Sequence, residues 1–244
     1  MNNQKVINII KRNPQLVVFV GFFIYAFSLG TMFPRLDDIQ TSLEIDKAEL
    51  GFLLLCIPLG LQVTLVFADR LVRAIPLKNI ICIGIPSICF MQFAAVAINQ
   101  ISFFAFFLIV CGAFVAVVEV AINLEADRVE HALGSRIMNR SHAFWSIGFF
   151  LAAVVGALFS QLKVIVEIHF LLICIISFVV SKIIFKDYIV ASPRHANVTK
   201  IKKFSLPTGP IFVMVLFTMA AMLVEGASID WSVIFMREIH YASP

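Results

Sequence analysis

The stretch LVVFVGFFIYAFSLGTMF, residues Leu16–Phe33, carries no Asp, Glu, Lys or Arg, and stretches of this kind recur along the chain. A helix that rises about 1.5 Å per residue needs roughly 20 apolar residues to cross the ~30 Å hydrocarbon layer of a bilayer. Val164–Ser181 is a weaker example, because Glu167 and His169 interrupt its start. Five further uncharged stretches have the required length: Leu50–Ala68, Ile80–Ile98, Ile101–Val118, Ala143–Leu162 and Leu206–Val224. We number all seven in chain order as spans 1 to 7, and they predict an all-α, polytopic membrane protein.

The composition excludes a soluble domain, because 61% of the 244 residues are hydrophobic and only 14% are charged. Basic residues alternate between loops, so that 15 of the 19 Lys and Arg fall on one side of the spans. By the positive-inside rule this side, which includes the amino terminus, is cytoplasmic. We therefore expect a multi-pass protein of the plasma (inner) membrane, with the lipid bilayer as its partner. The basic clusters are topology determinants and do not indicate nucleic-acid binding.

The cysteines do not indicate a metal site or a disulfide framework. All five lie inside spans, form no Cys-x-x-Cys pair and have no His cluster beside them, which fits apolar packing: Cys56, Cys82, Cys89, Cys111 and Cys174. The spans also hold no convincing Ser/His pair, catalytic carboxylate pair or His-Glu-x-x-His motif. We therefore expect no enzyme activity, no metal and no cofactor.

The loops suggest how the chain is organised. Asp46, followed three residues later by Glu49, predicts a capping box at the start of span 2. The polar segment 123–139 is predicted to be a helix on the cytoplasmic surface. Residues 182–207 form the longest and most basic loop, which we interpret as a linker after a six-helix bundle over 1–181. Residues 208–244 then form the first helix of a second bundle, so the chain is expected to be a fragment.

Three stretches carry a family resemblance, and the resemblance covers the whole chain. Ala68-Asp69-Arg70-Leu71-Val72-Arg73 follows span 2, and Glu225-Gly226-Ala227-Ser228-Ile229-Asp230-Trp231-Ser232 ends span 7. Between them lie Glu119-Val120-Ala121-Ile122-Asn123, Val129-Glu130 and His142-Ala143-Phe144-Trp145-Ser146-Ile147-Gly148. These stretches resemble the major facilitator superfamily, in the branch around the YbjJ inner-membrane protein and the fucose permease. The resemblance implies two six-helix bundles that rock about a central site.

The resemblance also implies a role for the loop after span 2. Asp69, Arg70 and Arg73 match the charges of a family motif that couples this loop to neighbouring helix ends during conformational gating. Leu65 and Val72 stand where the motif has glycines. The alternative interpretation is a helix end whose charges set the topology.

An acid inside span 4 is the most informative single residue. An ionised carboxylate costs about 2.5–3.5 kcal/mol at a helix centre and less near an end, so Glu119 should face a cavity or a partner. Gly112, Ala116 and Asn123 share its helix face. His142 begins span 5 at a similar depth, and a carboxylate beside an imidazole can exchange a proton near neutral pH. Glu119 and His142 are therefore a proton-coupling switch, a fixed structural pair between spans 4 and 5, or not in contact.

Other polar side chains are candidates for a solute cavity. Tyr25 and Ser28 in span 1 and Asn123 after span 4 could line it, and Glu225 could line an external vestibule or mark a helix end. Gly148, Ala152 and Gly156 recur every four residues in span 5 and predict close helix packing.

The leading functional prediction is a secondary transporter that moves a small solute by alternating access, with proton coupling. Neither the solute nor the oligomeric state follows from the residues. The alternatives are a truncated, inactive fragment and a membrane sensor of the same fold that does not transport.

Overall fold

The computed structural model describes residues 13–193 and 208–240. The basic tail before Asn13, most of the predicted linker, the start of Leu206–Val224 and the last four residues lie outside the described residues. The secondary structure within the described ranges is entirely helical, without a β-strand. Seven helical segments are long and apolar enough to cross a membrane, by length and composition. The all-α, polytopic fold class predicted from the sequence is therefore confirmed.

The helices begin and end close to the predicted spans. Span 1 is the helix Pro14–Gly30, followed by a 3-10 turn at Phe33–Arg35 and the short helix Leu36–Leu43. Span 2 consists of Lys47–Leu54 and Cys56–Ala74. The remaining spans are single helices: Leu77–Ile98, Ile101–Leu133, Met138–Gln161, Val166–Phe185 and Gly209–His240. The chain divides into two compact units at Ser192/Pro193, with spans 1 to 6 in the first and span 7 in the second.

Local signals account for several of these boundaries. The capping box at span 2 is confirmed: the Glu49 amide donates to Asp46 Oδ1 at 2.8 Å, and the Asp46 amide donates to Glu49 Oε2 at 2.9 Å. These bonds satisfy two amides that the first turn of a helix otherwise leaves unpaired. Span 4 ends at Gly134, whose φ of +64° lies in the left-handed region that glycine adopts without a steric cost.

Span 4 is longer than the sequence predicts. The segment expected to be a separate surface helix instead continues the helix as far as Leu133, giving 33 residues and a length of about 50 Å. Its last turns bury Glu125, Ala126 and Val129. Since a bilayer core is about 30 Å thick, the carboxyl-terminal turns of span 4 extend beyond the hydrocarbon.

The packing of the six-helix unit places span 1 between spans 4 and 5. Span 4 packs along spans 2 and 3, span 3 packs along span 6, and span 1 packs along span 5. Small residues allow the closest approaches: a Cβ on Gly148 would overlap the carbonyl oxygen of Phe23, and a Cβ on Gly112 would overlap that of Ile57. The predicted packing role of the span 5 stripe is confirmed, because Gly148 and Ala152 face span 1 and Gly156 faces Pro34 in the 3-10 turn that follows it.

Candidate functional site

The carboxylate of Glu119 is hydrogen bonded to span 1. The Tyr25 hydroxyl donates to Glu119 Oε2 at 2.6 Å, and the Tyr25 side chain is only 1% exposed. One turn further along span 4, the Asn123 amide donates to the Glu119 carbonyl oxygen at 2.9 Å and to Oε1 at 3.4 Å. The acid is half-buried. Both carboxylate oxygens therefore have a donor, which offsets part of the cost of placing a charge in an apolar helix.

The protonation state of Glu119 changes the chemistry of this contact. An ionised carboxylate only accepts hydrogen bonds, whereas a protonated one also carries an O–H donor. Tyr25 donates a charge-assisted bond to the ionised form, and when Glu119 is neutral with its proton on Oε1 the bond to Oε2 remains but is weaker. A proton on Glu119 can thus alter the contact between spans 1 and 4.

His142 does not join Glu119 in this structure. Its ring lies edge-on to Phe22, with 5.2 Å between the ring centroids, and the side chain is exposed. Within residues 13–193 there is no hydrogen bond or ion pair between Glu119 and His142. The reason is the position of span 1, whose Phe22 and Tyr25 lie one turn apart and separate the two side chains. The third alternative given above, no contact, describes the structure.

Ser28 lies inside the bundle, away from any open cavity surface. It is fully buried, and its hydroxyl is 2.7 Å from that of Ser177 in span 6. The Cys89 thiol of span 3 approaches the Ser28 carbonyl oxygen at 3.8 Å. These contacts tie spans 1, 3 and 6 together, which is a packing role.

The charges predicted to act in a gating loop lie on the last turns of the span 2 helix. Arg73 Nε donates to Asp69 Oδ1 at 3.0 Å, and a second guanidinium nitrogen contacts Asp69 Oδ2. Asp69, Arg70 and Arg73 are all exposed. The pair is an i,i+4 contact within one helix, so in this structure it does not link two helices.

A buried polar cluster at the end of the bundle opposite the basic residues was missed by the sequence analysis. Arg35 is 3% exposed; its Nε donates to Asp38 Oδ2 at 2.5 Å and a terminal nitrogen donates to the Val164 carbonyl oxygen at 2.7 Å. The other terminal nitrogen lies 3.4 Å from His169 Nδ1, and His169 is fully buried. The signal was present, since Arg35 and His169 both interrupt apolar stretches at the same end of the bundle.

Two acids at the basic end of span 4 accept hydrogen bonds from the segments next to spans 5 and 6. Glu125 Oε1 accepts from the Tyr188 hydroxyl at 2.6 Å and from the Ala191 amide at 2.9 Å. Burial, together with the hydrogen bond to Glu125, raises the pKa of Tyr188 above its ordinary value. Glu130 Oε2 accepts from the amides of Ile137 and Met138 at 2.7 and 2.9 Å and so caps span 5.

Glu225 lies on the helix Gly209–His240, in the second compact unit. Across residues 13–193 and 208–240, no group of three or more His, Cys, Asp and Glu is arranged to hold a metal ion.

Known proteins match the chain along most of its length. A transporter of Sinorhizobium fredii, named as uncharacterized, is 27% identical over 225 residues, which is 91% of this chain and 59% of the relative. A Yersinia pestis protein named as an uncharacterized MFS-type transporter is 24% identical over 229 residues, which is 92% of this chain and 58% of the relative. No solved structure matches. The sequence profile of the Major Facilitator Superfamily matches residues 18–242, and the chain belongs to this family.

Proposed function

We propose that this protein moves a small solute across the membrane by alternating access, as a secondary transporter coupled to protons. Family membership and two relatives named as transporters support a transport function. The chain spans about three-fifths of the length of these relatives, so the transport cycle is proposed for the protein to which these helices belong. The three motifs support a place in the branch around YbjJ and the fucose permease, with sugars or other polar metabolites as the solute class.

The proposed domain boundaries are placed at the long basic loop. Residues 1–181 are proposed to form one six-helix bundle, 182–207 a cytoplasmic linker, and 208–244 the start of a second bundle. The excess of basic residues on one side supports a cytoplasmic amino terminus in a plasma (inner) membrane.

The observation that carries the proposed coupling is the bond between Tyr25 and Glu119. It joins spans 1 and 4, which also pack against each other. An ionised Glu119 accepts from Tyr25, whereas protonation replaces an acceptor site with a donor and weakens the same contact. Proton uptake can thus bias the two helices between two arrangements, which alternating access requires.

His142 is proposed as a second, separate proton-coupling residue. It is exposed and packs against Phe22, so its protonation acts on the contact between spans 1 and 5 and does not require a bond to Glu119. Asn123 is proposed to hold the Glu119 carboxylate in place, because its amide donates to that side chain. Asp69, Arg70 and Arg73 remain the proposed gating charges, and Glu225 the proposed vestibule residue.

A flux assay tests this function. The protein to which these helices belong is reconstituted in proteoliposomes, and radiolabelled sugars and polar metabolites are offered with and without an inward proton gradient. We expect gradient-driven accumulation of at least one solute, and we expect Glu119→Gln to abolish accumulation while leaving solute exchange intact, because exchange needs no net proton transfer. Glu167→Gln is the matched control, since it removes an acid from the opposite end of the bundle.

The outcomes separate transport from its alternatives. If no solute in the panel moves under any gradient, the proposal of transport is wrong and the non-transporting alternatives are favoured. If transport persists and Glu119→Gln still accumulates solute, the protein is a transporter but Glu119 does not couple it to protons.

A further inference from the structure

A groove opens between spans 3 and 6 of the first unit, on the outer surface of the bundle. It has a volume of about 360 Å³. Short side chains leave room for it: the Cys174 thiol approaches the Pro86 carbonyl oxygen at 3.8 Å, and the Cys82 thiol approaches that of Ser181 at 3.8 Å. Its walls include Ile83, Pro86 and Phe90 of span 3 and Ile175, Phe178 and Lys182 of span 6.

The walls of the groove are apolar and open to the outside of the bundle. The side chains of Ile83, Phe90, Ile175 and Phe178 are between 49% and 58% exposed. Because spans 3 and 6 run antiparallel, residues 82–90 face residues 174–182 along about 12 Å of helix. A surface of this kind inside a bilayer contacts hydrocarbon, so the body of the groove fits an acyl chain.

One end of the groove is positively charged. The Lys182 ammonium lies 5.6 Å from the centroid of the Phe178 ring, so the cation stands directly over a groove wall. At the same rim, Lys78 Nζ donates to the Lys186 carbonyl oxygen at 2.6 Å, one turn beyond Lys182. Lys182 is the lysine in the lining of the groove, and Lys78 and Lys186 lie beyond it, with Asp187 next in the chain.

We propose that this groove binds an anionic phospholipid, with an acyl chain between spans 3 and 6 and the phosphate at Lys182. The rim lies at the basic end of the bundle, which is the predicted cytoplasmic end, and the cytoplasmic leaflet carries the negative surface charge of anionic lipids. Basic pockets between transmembrane helices on that side are suited to anionic headgroups. The charge of the rim and the apolar body of the groove together select this occupant over a neutral lipid.

A labelling experiment tests the site on the full chain. The protein is reconstituted in phosphatidylcholine vesicles that contain a minor fraction of phosphatidylglycerol with a photoactivatable diazirine on its acyl chain. A phosphatidylcholine probe with the same acyl chain is used in parallel. After illumination, the label in residues 82–90 and 174–182 is compared with that on the exposed face of span 5 by peptide mass spectrometry.

We expect the phosphatidylglycerol probe to label both groove segments about fivefold more than the phosphatidylcholine probe, the effect of one lysine near an anionic lipid. Lys182→Gln should remove that preference and Lys182→Arg should retain it. Lys163→Gln, the same change at an exposed lysine on the opposite end, should leave it unchanged. Both positions are on the surface, so the fold is preserved.

Two results would overturn the proposal. Equal labelling of the groove by the two probes would show that the lysine rim does not select an anionic headgroup. Labelling of span 5 without labelling of either groove segment would show that protein covers the groove, either a second copy or another part of the transporter.

Discussion

The Tyr25 hydroxyl and the Glu119 carboxylate are joined by a 2.6 Å hydrogen bond across 94 residues of sequence. Tyr25 is buried in span 1, and Glu119 interrupts an otherwise apolar helix. Span 1 also carries Phe22 against His142 of span 5, so one helix contacts both of the titratable groups singled out in the sequence. The consequence is that span 1 connects these groups, in place of a direct pair between spans 4 and 5.

Loss of the Tyr25 hydroxyl should destabilise the protein without disturbing its packing. Tyr25→Phe keeps the ring but leaves Glu119 Oε2 without its donor, and we expect the free energy of unfolding in mild detergent to fall by about 1 kcal/mol. Thr31→Val is the matched control at the end of the same helix, because the Thr31 hydroxyl donates to the Phe27 carbonyl oxygen one turn back within span 1. Equal losses in the two variants would contradict a stabilising contact between spans 1 and 4.

Two neighbouring alanines of span 5 test how this helix packs against span 1, because one is buried in the contact and the other is exposed. Ala152 is 1% exposed, and a Cβ on Gly30 would lie 3.1 Å from the Ala152 Cβ, so the helices leave no space for a longer side chain. Ala152→Leu should lower the free energy of unfolding by about 1–3 kcal/mol through overpacking. Ala153→Leu, on the exposed neighbour, should have almost no effect in the same unfolding assay. A larger loss in Ala153→Leu than in Ala152→Leu would contradict the packing of the Ala152 face against span 1.

The buried Arg35 should not tolerate lysine. Its guanidinium nitrogens reach Asp38, Val164 and His169 in three directions, which a single ammonium cannot do. Removing one partner from a buried charge cluster costs about 3–5 kcal/mol, and we expect Arg35→Lys to lose much of that. Arg140→Lys, at an exposed position, is the control. Thermal unfolding of the two variants in the same detergent makes the comparison, and similar midpoints for both would contradict a structural cluster.

Tyr188 should make stability depend on alkaline pH. Its pKa is raised in the folded protein by burial and by the bond to Glu125, so the folded state holds the phenolic proton at a pH where the unfolded chain, with a pKa of about 10, loses it. The stabilisation is complete below that unfolded pKa and decreases as the pH rises above it. Unfolding measured from about pH 8 to about pH 11 should therefore show a steeper loss in the native protein than in Tyr188→Phe. Parallel curves would contradict the raised pKa.

Some features of the fold could be predicted because their causes are local. The capping box requires only Asp46 and Glu49 three residues apart, and the length of each apolar stretch follows from the thickness of the bilayer. The span 5 stripe was also predictable, since a four-residue spacing places Gly148, Ala152 and Gly156 on one helix face.

The partners of the polar groups could not be predicted in the same way. Periodicity identifies the face on which Glu119 lies, but not which helix packs against that face. Span 4 and span 5 follow each other in sequence, and this proximity suggested His142 as the partner, whereas the bundle brings Tyr25 there. His169 was interpreted as an interruption that weakens the prediction of span 6. The sequence alone does not show that the buried guanidinium of Arg35 lies beside it.

The most direct test of the coupling is infrared difference spectroscopy on the reconstituted protein as a transported solute is added. The account predicts a carboxyl C=O band that appears or disappears with solute, is absent in Glu119→Gln, is kept in Glu167→Gln and shifts in frequency in Tyr25→Phe because its hydrogen bond is lost. A transported solute that produces the same carboxyl band in Glu119→Gln, or no carboxyl band in the native protein, would contradict proton coupling through Glu119.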